Sequence, residues 1–154
     1  VYTNLIRVEE AVGQVPVLVL SMDSNHTVAN LDDLAILAQQ GNTISHAIGF
    51  VYAEKNVLPV FSEEQIISTS GGGKELELLI AGRVDLAIIS GPHYRQLRER
   101  PQFRDAPIHQ AGTVAHFTLY PYLHKKHAHL ADNLAQALRK VKEDGEYDLF
   151  FPMD

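Results

Sequence analysis

The sequence contains no cysteine, which excludes disulfides, thiolate-bound metals and a cysteine nucleophile while leaving the compartment open. It also lacks any surplus of positive charge: 13 Lys and Arg stand against 19 Asp and Glu, a formal net charge of −6. Binding a phosphate backbone needs a concentrated Lys/Arg face. Here the basic residues are scattered, and the densest segment, Arg95 to Arg104, includes Glu99, so nucleic acid is not an expected partner. No apolar run approaches the ~20 residues of a membrane-spanning helix, and membrane insertion is not expected either. Val1-Tyr2-Thr3-Asn4 carries neither the basic stretch nor the apolar stretch of a secretory leader. With no initiating Met, the expectation is a processed or truncated chain. What is present suffices for a core: 154 residues, 45% of them hydrophobic, allow one ordinary domain or two small lobes sharing strands.

The chain is organised around Lys74 to Ser90. Leu76, Leu79 and Ile80 stand at i, i+3 and i+4, the apolar face of a short helix. Gly82 should end it, because glycine enters the left-handed region at little cost. Val84 to Ile89 is a nearly continuous apolar run, as in a parallel strand covered on both faces. In such sheets ligands sit beyond the carboxyl ends of the strands, which directs attention to Ser90 and Gly91.

Before this stretch, Val1 to Val12 reads as a strand end leading to a short turn at Gly13. Val17 to Met22 reads as a strand, with Pro16 just ahead of it where no ladder donor is needed. Leu31 to Gln40 should be a helix capped by Asn30, with Asp32 and Asp33 in its first turn and an apolar face of Leu31, Leu34 and Leu37 or Ala38. Ile44 to Ile48 is a short strand, Phe50 to Lys55 opens a helix that must stop before Pro59, and Val60 to Ser70 is an extended segment. Beyond the centre come a polar helical stretch over Ser90 to Arg104, a β-prone segment over Phe117 to Leu123, and a helix over Leu130 to Lys142 facing inward with Leu130, Leu134, Ala137, Leu138 and Val141. Glu146 to Phe151 should close the chain as a short aromatic segment. The alternation of strand and helix from Val17 onward predicts an α/β fold with a mainly parallel sheet.

Leu31-Asp32-Asp33-Leu34, Ile44 to Gly49 and Leu79 to Ile89 resemble, in order, the motif series of periplasmic solute-binding proteins of the type II fold. Leu130 to Phe151, with Lys142-Glu143-Asp144-Gly145, resembles the closing helix pattern of the same bacterial family 3 of extracellular solute-binding proteins. The resemblance implies a periplasmic binding protein-like II fold, helices on both faces of a mainly parallel sheet, and two lobes joined by crossing strands. Residues 13–116 would form lobe 2, and 1–12 with 117–154 the remnant of lobe 1 and the hinge. The opening portion that builds most of the first lobe in this family has no counterpart here, so the resemblance implies an incomplete first lobe and half of an interlobe cleft. It further implies a periplasmic protein without enzymatic activity or cofactor. Such a protein would bind a small polar solute, as in amino acid transport, for an ABC-type importer whose permease would be its partner. An incomplete lobe would leave apolar surface exposed, which points to a homodimer.

Several residues are candidate ligand contacts. Gly49-Phe50-Val51-Tyr52 follows a strand and opens a helix, where free N–H groups can hold an anion; in the family this turn often touches ligand, and otherwise it is a plain strand-to-helix turn. Ser68, Thr69 and Ser70 can both donate and accept hydrogen bonds, or can serve as caps and turn residues before the next helix. Ser90 stands where amino-acid-binding members usually place an Asp for the ligand's ammonium group. Thr3 and Arg7 resemble the family's paired Thr and Arg, whose Arg forks onto a ligand carboxylate. The spacing here is one residue longer, and Arg7 reads equally as a surface charge beside Glu10.

Other motifs lead to plainer readings. Asp85, at the start of a strand, suits capping backbone better than acting as a general base. Ser70 to Glu75 resembles a phosphate loop but has Ser68 at the first Gly position and Glu75 in place of the magnesium-binding hydroxyl. The spacing of His124, His127 and His129 matches no zinc pattern, and Lys125 and Lys126 would repel a cation. Asn25-His26-Thr27 fits a glycosylation acceptor, a pattern common by chance. The alternative to transport is a ligand-sensing domain of a receptor or transcription regulator, since these reuse the same fold. An enzyme would need a convergent acid/base pair, which no spacing here enforces.

Overall fold

The structure is a computed structural model, and it describes residues 3–145 and 147. The closing aromatic segment expected at Glu146 to Phe151 lies, Tyr147 apart, outside the described residues. Two compact units emerge, one of Val1–Gln14 with Thr118–Asp154 and the other of Val15–Phe117.

The larger unit is built on a five-stranded sheet. Its strands are β2 (Gly13–Ser21), β3 (Ile44–Ala47), β4 (Ile66–Thr69), β5 (Leu86–Ser90) and β6 (His109–Leu119), in the order β4-β3-β5-β2-β6. β1 (Leu5–Arg7) lies outside it. β4, β3 and β5 run parallel, with Ile44 opposite both Ile66 and Leu86. β2 runs antiparallel to β5, from Val17↔Ser90 to Ser21↔Leu86. The sheet is therefore mixed, and its parallel part is the β4-β3-β5 block. β2 starts earlier than the sequence suggests: Gly13 is strand rather than turn, and Pro16 lies inside it. The proline is tolerated because pairing with β5 begins only at Val17.

Both faces of the sheet are covered, which explains the unbroken apolar runs of β2 and β5. Val17, Val19, Ile44, Leu86 and Ile88 pack towards α1 (Leu31–Gln39) and the segment after α2 (Val51–Asn56). Leu18, Leu20, Ala87 and Ile89 point the other way, against α3 (Lys74–Ile80), α4 (Gly91–Arg98) and α5 (Pro101–Arg104). Side chains such as Leu34 and Leu79, with no exposed surface, each contribute about 1.5–3 kcal/mol by burial. Asn30 caps α1 as its sequence indicates, accepting from Asp33 N–H at 3.0 Å.

Two expectations fail in this unit. Val60 to Ser70 is not one extended segment: short 3-10 turns occupy Leu58–Val60 and Glu63–Gln65 before β4. The Gln65 amide holds the second turn, donating to Ala38 O at 2.8 Å and Asn42 O at 2.9 Å. On α3, Ile80 is 38% exposed while Glu75 is fully buried. The inward face is thus Glu75, Leu76 and Leu79. Gly73, at φ +100°, starts the helix against Phe103, whose ring atoms would lie 2.8–2.9 Å from any Cβ there.

In the smaller unit β1 pairs antiparallel with β7 (Tyr122–His124), from Leu5↔His124 to Arg7↔Tyr122. The segment expected as one strand over Phe117 to Leu123 is in fact the end of β6, a break at Tyr120 and Pro121, and β7. α6 (Ala131–Glu143) follows a 3-10 stretch over Lys125–Leu130. Its apolar stripe is half-buried, and Ala137, expected to face inward, is exposed. Glu10 ties α6 to the chain start, accepting from Arg139 Nε at 2.9 Å and Lys142 Nζ at 2.6 Å.

Candidate functional site

The parallel block ends in three adjacent turns, so the carboxyl ends of β3, β4 and β5 bring together Gly49 and Phe50, Ser68 to Ser70, and Ser90. These residues were marked by sequence and the topology gathers them. Tyr52, on α2, instead stacks on Phe117 of β6 at a centroid distance of 5.1 Å, with Phe50 tilted against the same ring at 6.0 Å. Thr3 and Arg7 belong to the smaller unit. Thr3 is an exposed turn residue, and the Arg7 fork is engaged by Glu9 at 2.8 and 3.1 Å rather than lying beside Glu10. Arg7 also lies over the Tyr120 ring, 4.5 Å from its centroid. The hydrogen bond to Arg7 holds the Glu9 carboxyl below its ordinary range.

At the β3 end, strand alternation sends His46 and Ser68 to the α2 face and Ser45 and Thr69 to the α3 face. His46, 4% exposed, places Nδ1 3.0 Å from Ala47 O and Nε2 2.8 Å from Ser68 Oγ. A carbonyl only accepts, so Nδ1 carries the proton. Nε2 shares its hydrogen bond with the Ser68 hydroxyl. Glu54 reaches back from α2, and its Oε1 accepts from Gly49 N–H at 2.8 Å, 3.9 Å from His46 Nδ1. The anion at this turn is therefore a carboxylate of the chain itself.

On the opposite face Thr69 Oγ1 lies 3.1 Å from His46 O and 3.3 Å from Glu75 Oε2, and it accepts from Gly71 N–H at 3.2 Å. The Thr69 hydroxyl is thus engaged within the fold. Glu75 Oε1 is buried without a hydrogen-bond partner among the described residues. Neither glutamate was singled out by sequence. Glu75 breaks the apolar pattern of its helix, and that interruption was the available signal; Glu54 looks like any solvated helical acid. The Ser70 and half-buried Ser90 hydroxyls make no hydrogen bond among the described residues.

Asp85 lies at the other end of the sheet and binds backbone, as expected: its Oδ2 accepts from Thr43 N–H at 2.7 Å and Thr43 Oγ1 at 2.8 Å. Also at that end, a groove of about 580 Å³ runs between α1 and the loop before it, lined by Asn25, His26, Asp33, Ile36 and Gln40 among others. Two of its polar groups are held internally. Asp33 Oδ2 accepts from Ala29 N–H, and His26 Nδ1 meets Ser21 Oγ, each at 2.8 Å. Among the described residues no group of three or more His, Asp or Glu could hold a metal ion, the His124 to His129 segment included. No described helix is long and apolar enough to cross a membrane.

No family model matches the chain. It is 26% identical over 148 residues to an uncharacterized protein of Shewanella oneidensis, covering 96% of this chain and 55% of that one. Among solved structures, the GluR0 ligand-binding core in complex with L-glutamate matches with a TM-score of 0.73 at 10% identity, over 96% of this chain and 62% of that one. An ancestral arginine-binding protein bound to glutamine matches with a TM-score of 0.69 at 18% identity, over 96% and 62%. The amino acid ABC transporter substrate-binding protein AbpA of Streptococcus pneumoniae, bound to L-arginine, matches with a TM-score of 0.66 at 17% identity, over 94% and 58%. The chain thus has the α/β fold of these solved structures and spans somewhat over half the length of each of the four proteins named.

Proposed function

We propose that this chain binds a small polar solute at the carboxyl end of the β4-β3-β5 block, as a periplasmic solute-binding protein does for an ABC-type importer. The carrying observation is the convergence there of three turns with the Ser70 and Ser90 hydroxyls unpartnered among the described residues. The fold likeness to proteins bound to amino acids supports the same reading. Gly49, Phe50, Ser68, Ser70 and Ser90 are the proposed contacts, with Thr69 shaping the turn from behind and Tyr52 bracing α2 on Phe117. The larger unit would correspond to lobe 2 and the smaller to lobe 1 with the hinge. The reading requires no reaction step.

Calorimetric titration against a broad solute panel tests it. A solute should bind, and Ser70→Ala and Ser90→Ala should each weaken it about 3- to 10-fold, as for one lost hydrogen bond. Binding that both variants leave unchanged would place the site elsewhere. The likeness to a receptor's ligand-binding core supports a second reading, a sensing domain. Capture of an ABC permease from solubilised membranes by the solute-loaded protein separates the two. Exposed Leu119, Tyr122 and Leu130 in the smaller unit favour self-association, and sedimentation as a monomer at high concentration would refute a homodimer.

A further inference from the structure

The groove between α1 and the loop before it combines apolar lining with acidic surroundings. Val28, Leu37 and Ala111 line it as buried residues, and Ile36 lines it at 52% exposure. On the helix side, Asp33 gives Oδ2 to Ala29 N–H and keeps Oδ1 without a hydrogen-bond partner among the described residues. Exposed Asp32 precedes Ile36 by one helical turn and so stands beside it. On the loop side, Asp23 Oδ1 accepts from Asn25 N–H and Nδ2, each at 2.8 Å, and Oδ2 lies 3.9 Å from His26 Nε2. The hydrogen bond from the Asn25 backbone holds the Asp23 carboxyl below its ordinary range. Between Arg7 and Lys55 the sequence has no Lys or Arg. None of the three aspartates forms an ion pair with Lys or Arg among the described residues. The Thr27 and Gln40 side chains, also in the lining, make no hydrogen bond among the described residues.

We propose that this groove docks a basic segment of a partner protein, with an aliphatic side chain against Ile36 and flanking Lys or Arg side chains beside Asp23, Asp32 and Asp33. The inference is independent of the solute-binding reading, whose contacts lie at the other end of the sheet. A volume of about 580 Å³ is ample for side chains of a docked segment. Asp33 and Gln40, at the two ends of the helix wall, are separated by about 10 Å at 1.5 Å per residue, the reach of roughly three extended residues. An apolar chain alone would leave the aspartates without a counter-charge. A small cation alone would leave Ile36 in water, and a nucleic acid or anionic membrane would meet like charge. Both walls are already in place: Val28 N–H meets Ala111 O at 3.0 Å and Ala29 N–H meets Asp33 at 2.8 Å. Docking therefore needs little ordering of the groove itself.

The test is titration with the blocked peptide acetyl-Arg-Leu-Arg-Leu-Arg-amide, followed through the amide NMR shifts of the protein. The comparators are the Glu-Leu peptide of the same pattern, the Arg-Gly peptide of the same pattern, and free argininamide. The Arg-Leu peptide should move the amides of residues 25–29 and 33–40 and bind at least about 5-fold more tightly than each comparator. Ile36→Ser should weaken it about 5- to 20-fold, and Asp32→Asn should flatten its dependence on KCl. Glu77→Gln, an exposed acid on α3 across the sheet, should change neither. The wild-type dissociation constant should also rise with added KCl, a readout that does not depend on a variant folding. Preference for the Glu-Leu peptide, a salt-independent constant, shifts confined to other residues, or binding unaltered in folded Ile36→Ser would each overturn the assignment. Equal binding of the Arg-Gly peptide would reduce it to charge alone, equal binding of argininamide would make the site one for a small cation, and silence of the Arg-Leu peptide would remove it; each of these overturns it too.

Discussion

Glu75 concentrates the physical tension of the structure in one side chain. A carboxyl group with no exposed surface and one unpartnered oxygen opposes folding, because a buried polar atom left without a hydrogen bond costs about 1–3 kcal/mol. Glu75→Gln keeps the volume and puts an amide in the same place, so its thermal midpoint should equal or exceed that of the wild type. A clear loss of Tm would show that the carboxyl group itself is stabilising. Gly73 sets the opposite kind of constraint. Its φ of +100° and the nearness of Phe103 mean that Gly73→Ala should lose about 2–4 kcal/mol in urea unfolding, from backbone strain plus overpacking. Glu10 carries a pH signature. Hydrogen bonds from Lys142 and then Arg139 lower its pKa, so its contribution is present above the unfolded carboxylate pKa and is lost as pH falls through the folded one. Melting curves of wild type and Glu10→Gln should therefore differ at neutral pH and converge in acid. A constant gap down to acid pH would refute the assignment.

Among the elements, those legible in the sequence are those whose own residues decide them. α1 carries its cap, its acidic first turn and its apolar spacing locally. Asn30→Ala should accordingly lower stability by about 1 kcal/mol, read as a shifted urea midpoint with unchanged slope. β5 was legible because a strand covered on both faces is apolar throughout. The missed features depend on distant partners. The turn at Glu63–Gln65 is fixed by carbonyls of Ala38 and Asn42, more than twenty residues away. β6 opens with His109-Gln110-Ala111-Gly112, residues of little strand preference, and Gly112 is accommodated there because Val28 closes over it. At the candidate site the hydroxyl-bearing turns were visible as sequence, whereas the acid that answers Gly49 comes from the following helix and is revealed only by the fold.

For the molecule as a whole, stability should be unevenly distributed. The larger unit has a sheet buried on both faces, with Val17, Leu20, Leu86 and Ile88 at 0–1% exposure. The smaller unit, over the described residues, rests on a two-stranded ladder and a half-buried helix. Hydrogen exchange followed by mass spectrometry should find peptides covering 17–21 and 86–90 the slowest to exchange, and those covering 122–143 faster by orders of magnitude. Equal protection in the two would mean a single cooperative unit. The chain crosses between the units within β2 and again within β6.

β4 ends the sheet, and its outer edge has no strand partner among the described residues. A free edge invites another strand to add to it, the first step towards fibrous aggregates. Here the edge is four residues long, bounded by a capped 3-10 turn on one side and the glycine turn on the other, and half of it is serine and threonine. So short a template offers few hydrogen bonds to an incoming chain, and Ile67 is its one markedly exposed apolar side chain. Shortness thus protects concentrated solutions from intermolecular β-sheet growth without a charged guard on the strand itself.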